Sequence, residues 1–206
     1  MIDTELFWLE AIQFALADCR CALDSKLTTS LIFGRTWDDI SFDLMPFLRK
    51  NDVKICDIEA KAKMRFDLIR ESKEIVIKTS VTLLRQLAES NRLAIVSGAS
   101  RLTVMTYIES LGINEQVEFH LGSEDYARGK PDPCCYLLAA SRMGVNPNAC
   151  CVFEDSFIGV ASAKAAGMFC VALKRPRVPI QDVSCADAIL SDLSEFDIAR
   201  LPEYLL

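Results

Sequence analysis

Histidine occurs once in the 206 residues, at position 120. It falls inside a run that reads as a strand, so His120 is expected to be structural and histidine acid–base catalysis is not expected. Glycine (8) and proline (7) are sparse, which excludes a collagen-like or low-complexity disordered chain. No apolar run approaches the ~20 residues of a membrane-spanning helix, and Met1-Ile2-Asp3-Thr4-Glu5 lacks the basic start of a secretory leader. Basic residues are the minority charge, 23 Lys and Arg against 29 Asp and Glu, for a net charge of −6. Such a chain has no general attraction for nucleic acid or an anionic membrane, because both are held by clustered Lys and Arg. Any phosphate it binds must be held by a local site.

Cysteine, by contrast, is plentiful. Nine cysteines are an odd number spread through the chain, which reads as reduced thiols in a cytoplasmic protein and not as a disulfide framework. The adjacent pairs Cys134-Cys135 and Cys150-Cys151 lack C-x₂-C spacing and lie in apolar stretches, where cysteine packs as a small hydrophobe. A monomer is expected.

From Thr4 to about Leu93 the pattern is helical. Phe7, Leu9, Ile12, Phe14 and Leu16 lie close to one stripe, and Trp37, Ile40, Leu44 and Phe47 repeat at helical spacing beyond Gly34. Further helices are predicted over about 56–72 and 79–90. The second half differs: β-rich runs at 93–97, 117–121, 150–154 and 169–173 alternate with helical segments, the signature of a mostly parallel α/β sheet. Ser100 is placed to cap a helix ending before Gly112, and Pro131 or Pro133 to open one ending before Gly144. In open α/β sheets ligands collect beyond the carboxyl ends of strands. Here those ends carry Ser97-Gly98-Ala99, the loop to Lys130, and Glu154-Asp155.

Ser97, with the backbone N–H groups of Gly98 and Ala99, can hold an anionic oxygen, although a capping turn accounts for the same residues. Lys130 is presented by Gly129-Lys130-Pro131-Asp132-Pro133, where a solvated loop lysine is the plainer alternative. Glu154 and Asp155 repel each other at a strand mouth unless a cation or lysine offsets them. A hydroxyl, a lysine and a carboxylate pair on successive strand ends together make a phosphate and Mg²⁺ site.

The segments IVSGAS (95–100), GKPDP (129–133) and FEDSFIGVASAKAAGM (153–168) resemble the second, third and fourth motifs of the haloacid dehalogenase-like superfamily in order and spacing. The likeness is closest to the β-phosphoglucomutase-like subfamily of sugar-phosphate mutases and phosphatases, and runs from Met1 to about residue 175. It implies a Rossmann-like core over 1–6 and 79–206, a helical cap over 7–78, a Mg²⁺ cofactor and a small phosphorylated metabolite as substrate. Ser97 would then bond the transferring phosphoryl group, and Lys130 would neutralise it. Asp155 would ligate Mg²⁺, with Glu154 a ligand or a support beside it. Gly34 and Arg35 would lie on a cap loop reaching the substrate. Trp37 is better read as ordinary packing, and Lys61 or Lys63 could reach substrate from a cap helix.

Members of that superfamily open with a strand ending in D-x-D-G, whose first Asp attacks phosphorus and whose second protonates the leaving group. No D-x-D occurs in the 206 residues, and Met1 to Glu5 resembles the stretch just after it. The expectation is a chain missing its first core strand, between those ending at Ser97 and Glu154, and inactive as written. The leading reading is a Mg²⁺-dependent phosphomonoester hydrolase. A sugar-phosphate mutase, or a phosphate-binding protein without turnover, are the alternatives.

Overall fold

Helical spacing of apolar residues through the first 77 positions predicts a bundle, and the computed structural model contains one. The structure describes residues 1–33, 35, 37–72, 75–175 and 181–205. It divides into two compact units, Met1–Ile77 and Lys78–Leu206. The first unit holds α1 (Thr4–Asp18), α2 (Ser25–Ile32), α3 (Trp37–Lys50) and α4 (Ile55–Ser72). Leu9, Ile12 and Leu16 of α1 meet Ile58, Ala62, Phe66 and Ile69 of α4, and Ile40, Leu44 and Leu48 of α3 complete the core. Fully burying each Leu or Ile contributes roughly 1.5–3 kcal/mol relative to exposure. Trp8 stacks on Phe66 with ring centroids 4.7 Å apart. Asp24 caps α2, its Oδ1 accepting from the N–H groups of Lys26 (2.9 Å) and Leu27 (3.2 Å). Ile2 and Val76 form an antiparallel bridge within the same unit.

The second unit runs α5 (Lys78–Leu87), β1 (Ala94–Val96), α6 (Arg101–Leu111), β2 (Phe119–Leu121), α7 (Cys134–Met143), β3 (Cys151–Glu154), α8 (Phe157–Ala165), β4 (Phe169–Leu173) and β5 (Ala188–Leu190). Every strand pairing in it is parallel, and the fold is α/β as expected. Among the described residues the strands form two hydrogen-bonded sets, β1-β2 and β3-β4-β5. Ser97 N donates to Leu121 O and Glu118 N to Leu93 O, so the main-chain groups of Ala94 and Val96 face away from β2. Phe169 N donates to Cys150 O, so those of Cys151 and Phe153 face away from β4. Small residues on α8 allow close packing: Gly159, Val160, Ser162 and Ala163 are all buried. α6 ends at Gly112, whose φ of +59° turns the chain out of the helix without a Cβ clash.

Three expectations need correction. Phe14 is not on the buried stripe; it is 46% exposed, and the Arg65 guanidinium lies 5.0 Å from its ring centroid. The last buried turn of α1 is instead served by Ala15 and Leu16, one face around the helix. Strand β5 was not anticipated, because three residues flanked by Asp187 and Ser191 give no periodicity to read. Three strands are also shorter than their runs, β1 lacking Leu93 and Ser97, β2 starting at Phe119 and β3 at Cys151, while β4 spans 169–173 as expected. Gly34 lies outside the described residues. No helix of the described residues is long and apolar enough to cross a membrane. All nine cysteines are free thiols, and burial pushes the pKa of Cys151 and of Cys170 up to about 12.

Candidate active site

The carboxyl end of β1 runs straight into a turn. Ser97 Oγ accepts from Ala99 N (3.2 Å), and the Ser97 carbonyl accepts from the Tyr126 hydroxyl (2.8 Å). Ser100 then caps α6, its Oγ accepting from Thr103 N (3.3 Å). The Ser97 hydroxyl thus stabilises the turn, and the Ala99 N–H is already engaged there. Gly98 is exposed, and a Cβ added to it would meet nothing within 4 Å.

Lys130 reaches this turn from the loop before α7. Its ammonium donates to the Val96 carbonyl (3.4 Å) at the end of β1 and to Glu154 Oε1 at the end of β3. Burial opposes the charge on Lys130, but Glu154 beside it outweighs this and holds the ammonium pKa above its ordinary value. Burial likewise opposes the Glu154 charge, and Lys130 with the Tyr136 and Ser156 hydroxyls brings that carboxyl below its usual range. The pair is therefore ionised at neutral pH. Tyr136 is buried in the first turn of α7, donates to the same Oε1, and places its ring centroid 4.9 Å from the Lys130 nitrogen. Glu154 Oε2 accepts from Asp155 N (3.2 Å) and Ser156 Oγ (3.1 Å). All four lone-pair directions of Glu154 are occupied by donors from this chain.

Asp155 is the exposed member of the acidic pair. Partial loss of water and the neighbouring Glu154 charge push its pKa up, and Arg175 Nη2 lies 3.8 Å from its Oδ2. Two carboxylates are thus matched by two cations, so the site is not strongly negative before a dication arrives. Ser156 caps α8, its Oγ accepting from Gly159 N (3.1 Å). A Cβ on Gly159 would lie 2.0–2.2 Å from the Glu154 carboxyl atoms. Glycine is needed there because the helix approaches the carboxylate that closely.

The hard oxygens of Asp155 suit Mg²⁺, which accepts one or two carboxylates and fills its remaining positions with water and phosphate oxygens. Glu154 has no free lone pair in this arrangement, and among the described residues no three His, Cys, Asp or Glu side chains converge. The donor set fits one carboxylate ligand, with Glu154 orienting it through the Asp155 N–H.

Ser97, Lys130 and Glu154 come together within the second unit, followed at once by Asp155. Arg35 lies in the first unit, exposed, with its Nη1 2.6 Å from Asp43 Oδ2. Trp37 packs against the core of that unit. Lys61 pairs with Asp18, while Lys63 is exposed. His120, on β2, lines a cleft of about 460 Å³ with Arg101, Glu118, Phe119, Asp125 and Arg142. Sequence reasoning missed Tyr136 and Arg175. A tyrosine inside Cys-Cys-Tyr-Leu-Leu was a usable signal, since a buried phenol needs a polar partner.

Residues 25–167 match the family model for the haloacid dehalogenase-like hydrolases. The chain belongs to that family. It is 33% identical over 158 residues to the protein CbbY of Rhodobacter capsulatus, covering 74% of this chain and 70% of that protein. Over 122 residues it is 33% identical to validoxylamine A 7'-phosphate phosphatase of Streptomyces hygroscopicus subsp. limoneus, covering 59% and 57%. This haloacid dehalogenase-like chain shares its fold with β-phosphoglucomutase of Clostridium difficile, at a TM-score of 0.71 and 19% identity over 97% and 89% of the two chains. The Rossmann-like α/β reading of the fold therefore stands, together with the haloacid dehalogenase-like family. The chain spans about half the length of several curated relatives, 57%, 45% and 38% of three of them.

Proposed function

We propose that this haloacid dehalogenase-like protein is a Mg²⁺-dependent phosphomonoester hydrolase acting on a small phosphorylated metabolite such as a sugar phosphate, with the helical region 7–78 as its cap. The observation that carries the reading is the Lys130 ammonium, held in its charged form across the carboxyl ends of β1 and β3 beside Asp155. A phosphate entering beyond those strand ends would meet Lys130, Gly98 and the Ser97 turn. Bound Mg²⁺, ligated by Asp155, would supply further neutralisation of phosphate charge. Lys130 and the turn bind and orient the anion, and Glu154 keeps both Lys130 and Asp155 in place. The relatives' names support the substrate class, since one of them is named as the phosphatase of validoxylamine A 7'-phosphate.

The covalent step of such a hydrolase needs a carboxylate aimed at phosphorus. Among the described residues β1 and β3 each pair with a strand on one side only, and the main-chain groups of Ala94, Cys151 and Phe153 on the other side suit a further parallel strand carrying a D-x-D pair. Residues 1–206 alone should bind inorganic phosphate and Mg²⁺ without turning over an aryl phosphate. Lys130→Ala should weaken phosphate binding at least about tenfold, because a charge-assisted contact is lost. Asp155→Ala should abolish Mg²⁺ binding in calorimetry. Unchanged affinities in both variants would sink the site assignment. Turnover by residues 1–206 that vanishes in Asp155→Ala would place a nucleophile inside this chain.

A further inference from the structure

We propose that Tyr136 is a positioning residue of this site, its hydroxyl and its ring acting on two partners at once to fix where the Lys130 ammonium points. What Lys130 does with a phosphate rests on the reading above, but the geometry of the clamp does not. An ammonium on a four-carbon stem has three rotatable donors and no direction of its own. Here one donor goes to the Val96 carbonyl and one to Glu154 Oε1. The Tyr136 hydroxyl takes the other lone pair of Oε1, which leaves Lys130 a single approach to that oxygen. The Tyr136 ring, 4.9 Å from the nitrogen, blocks another side of the ammonium while attracting its charge. Two of its three donors are thus committed, and on the functional reading above the third is the one that would meet an anion. Burial and the Glu154 charge hold the phenol well above its ordinary pKa, so the hydroxyl is a donor under all ordinary conditions. Phenylalanine would keep the ring and lose the hold on Oε1.

A merely structural tyrosine would satisfy its own hydroxyl in the core and leave the lysine unaffected. The test uses the 206-residue chain in three forms: wild type, Lys130→Ala and Tyr136→Phe. Two signals are followed: the affinity for inorganic phosphate by calorimetry, and the ¹H–¹⁵N resonance of the Lys130 ammonium, assigned by its loss in Lys130→Ala. The expected result is a protected ammonium signal in wild type that broadens away in Tyr136→Phe. Phosphate affinity should fall about three- to tenfold in that variant, less than for loss of a direct hydrogen bond to a charge, because Tyr136 acts on the anion only through Lys130. A folded Tyr136→Phe with wild-type ammonium signal and wild-type affinity would overturn the proposal. Should the wild type bind no phosphate, the phosphate-site reading fails, and the ammonium signal alone decides the role of Tyr136. If Tyr136→Phe does not fold, the wild-type chain decides: a cross-relaxation peak between the Tyr136 hydroxyl proton and the Lys130 ammonium supports the clamp, and its absence refutes it.

Discussion

Glu154 shows how much of a site can depend on one side chain that never needs to touch a substrate. It is fully bonded by Lys130, Tyr136, Asp155 and Ser156, and it fills the space against Gly159. Gly159→Ala should push the carboxylate off Lys130 and Tyr136, lowering stability by about 1–3 kcal/mol in urea unfolding through overpacking and lost hydrogen bonds. A variant as stable as wild type would mean that Glu154 can shift without cost. The residue types of the candidate site were legible in the sequence, because Ser97 and Asp155 directly follow strands, Glu154 ends one, and Lys130 sits in a loop set by Gly129, Pro131 and Pro133. Their partners were not. Nothing in the spacing shows that Glu154 is saturated while Asp155 stays exposed, since that depends on which side of the strand end each faces.

Helix α8 is defined as much by its cap as by its buried face. The Ser156 hydroxyl accepts from Gly159 N and donates to Glu154 Oε2, so the helix start and the acidic pair share one group. Ser156→Ala should cost about 1–2 kcal/mol, the usual value of a lost cap, with the denaturant slope unchanged. An unaltered midpoint would show that another group takes over the cap. Element existence was largely readable: α3, α4, α6 and α7 follow apolar periodicity and capping residues. The run at 169–173 is β4 residue for residue, those at 117–121 and 150–154 lose residues only at their start, and 93–97 is trimmed at both ends although Leu93 O and Ser97 N still bond to the neighbouring segment. Strand β5 went unread because pairing with β4, and not its own three residues, makes it a strand.

At the scale of the molecule, Met1–Ile77 buries a core drawn from its own residues, from Leu9 through Ile69. Expressed by itself, that segment should give a helical far-ultraviolet spectrum and a cooperative melt. Dye-binding without a cooperative transition would show that its core is insufficient alone. In Lys78–Leu206 the parallel pairings were foreseeable from strand–helix alternation. That the strands of the described residues fall into two sets, β1-β2 and β3-β4-β5, is not legible in the local pattern, because a strand's own residues do not say which neighbour it pairs with.

The volume shared by Gly159 and Glu154 has a consequence for how this site can vary between relatives. The two positions cannot grow independently: a side chain at 159 leaves no room for a glutamate at 154. Wherever a relative carries a larger residue at the position equivalent to Gly159, the residue equivalent to Glu154 should be shorter, and Lys130 should find its counter-charge elsewhere. The pair should therefore change together, as two settings of one device.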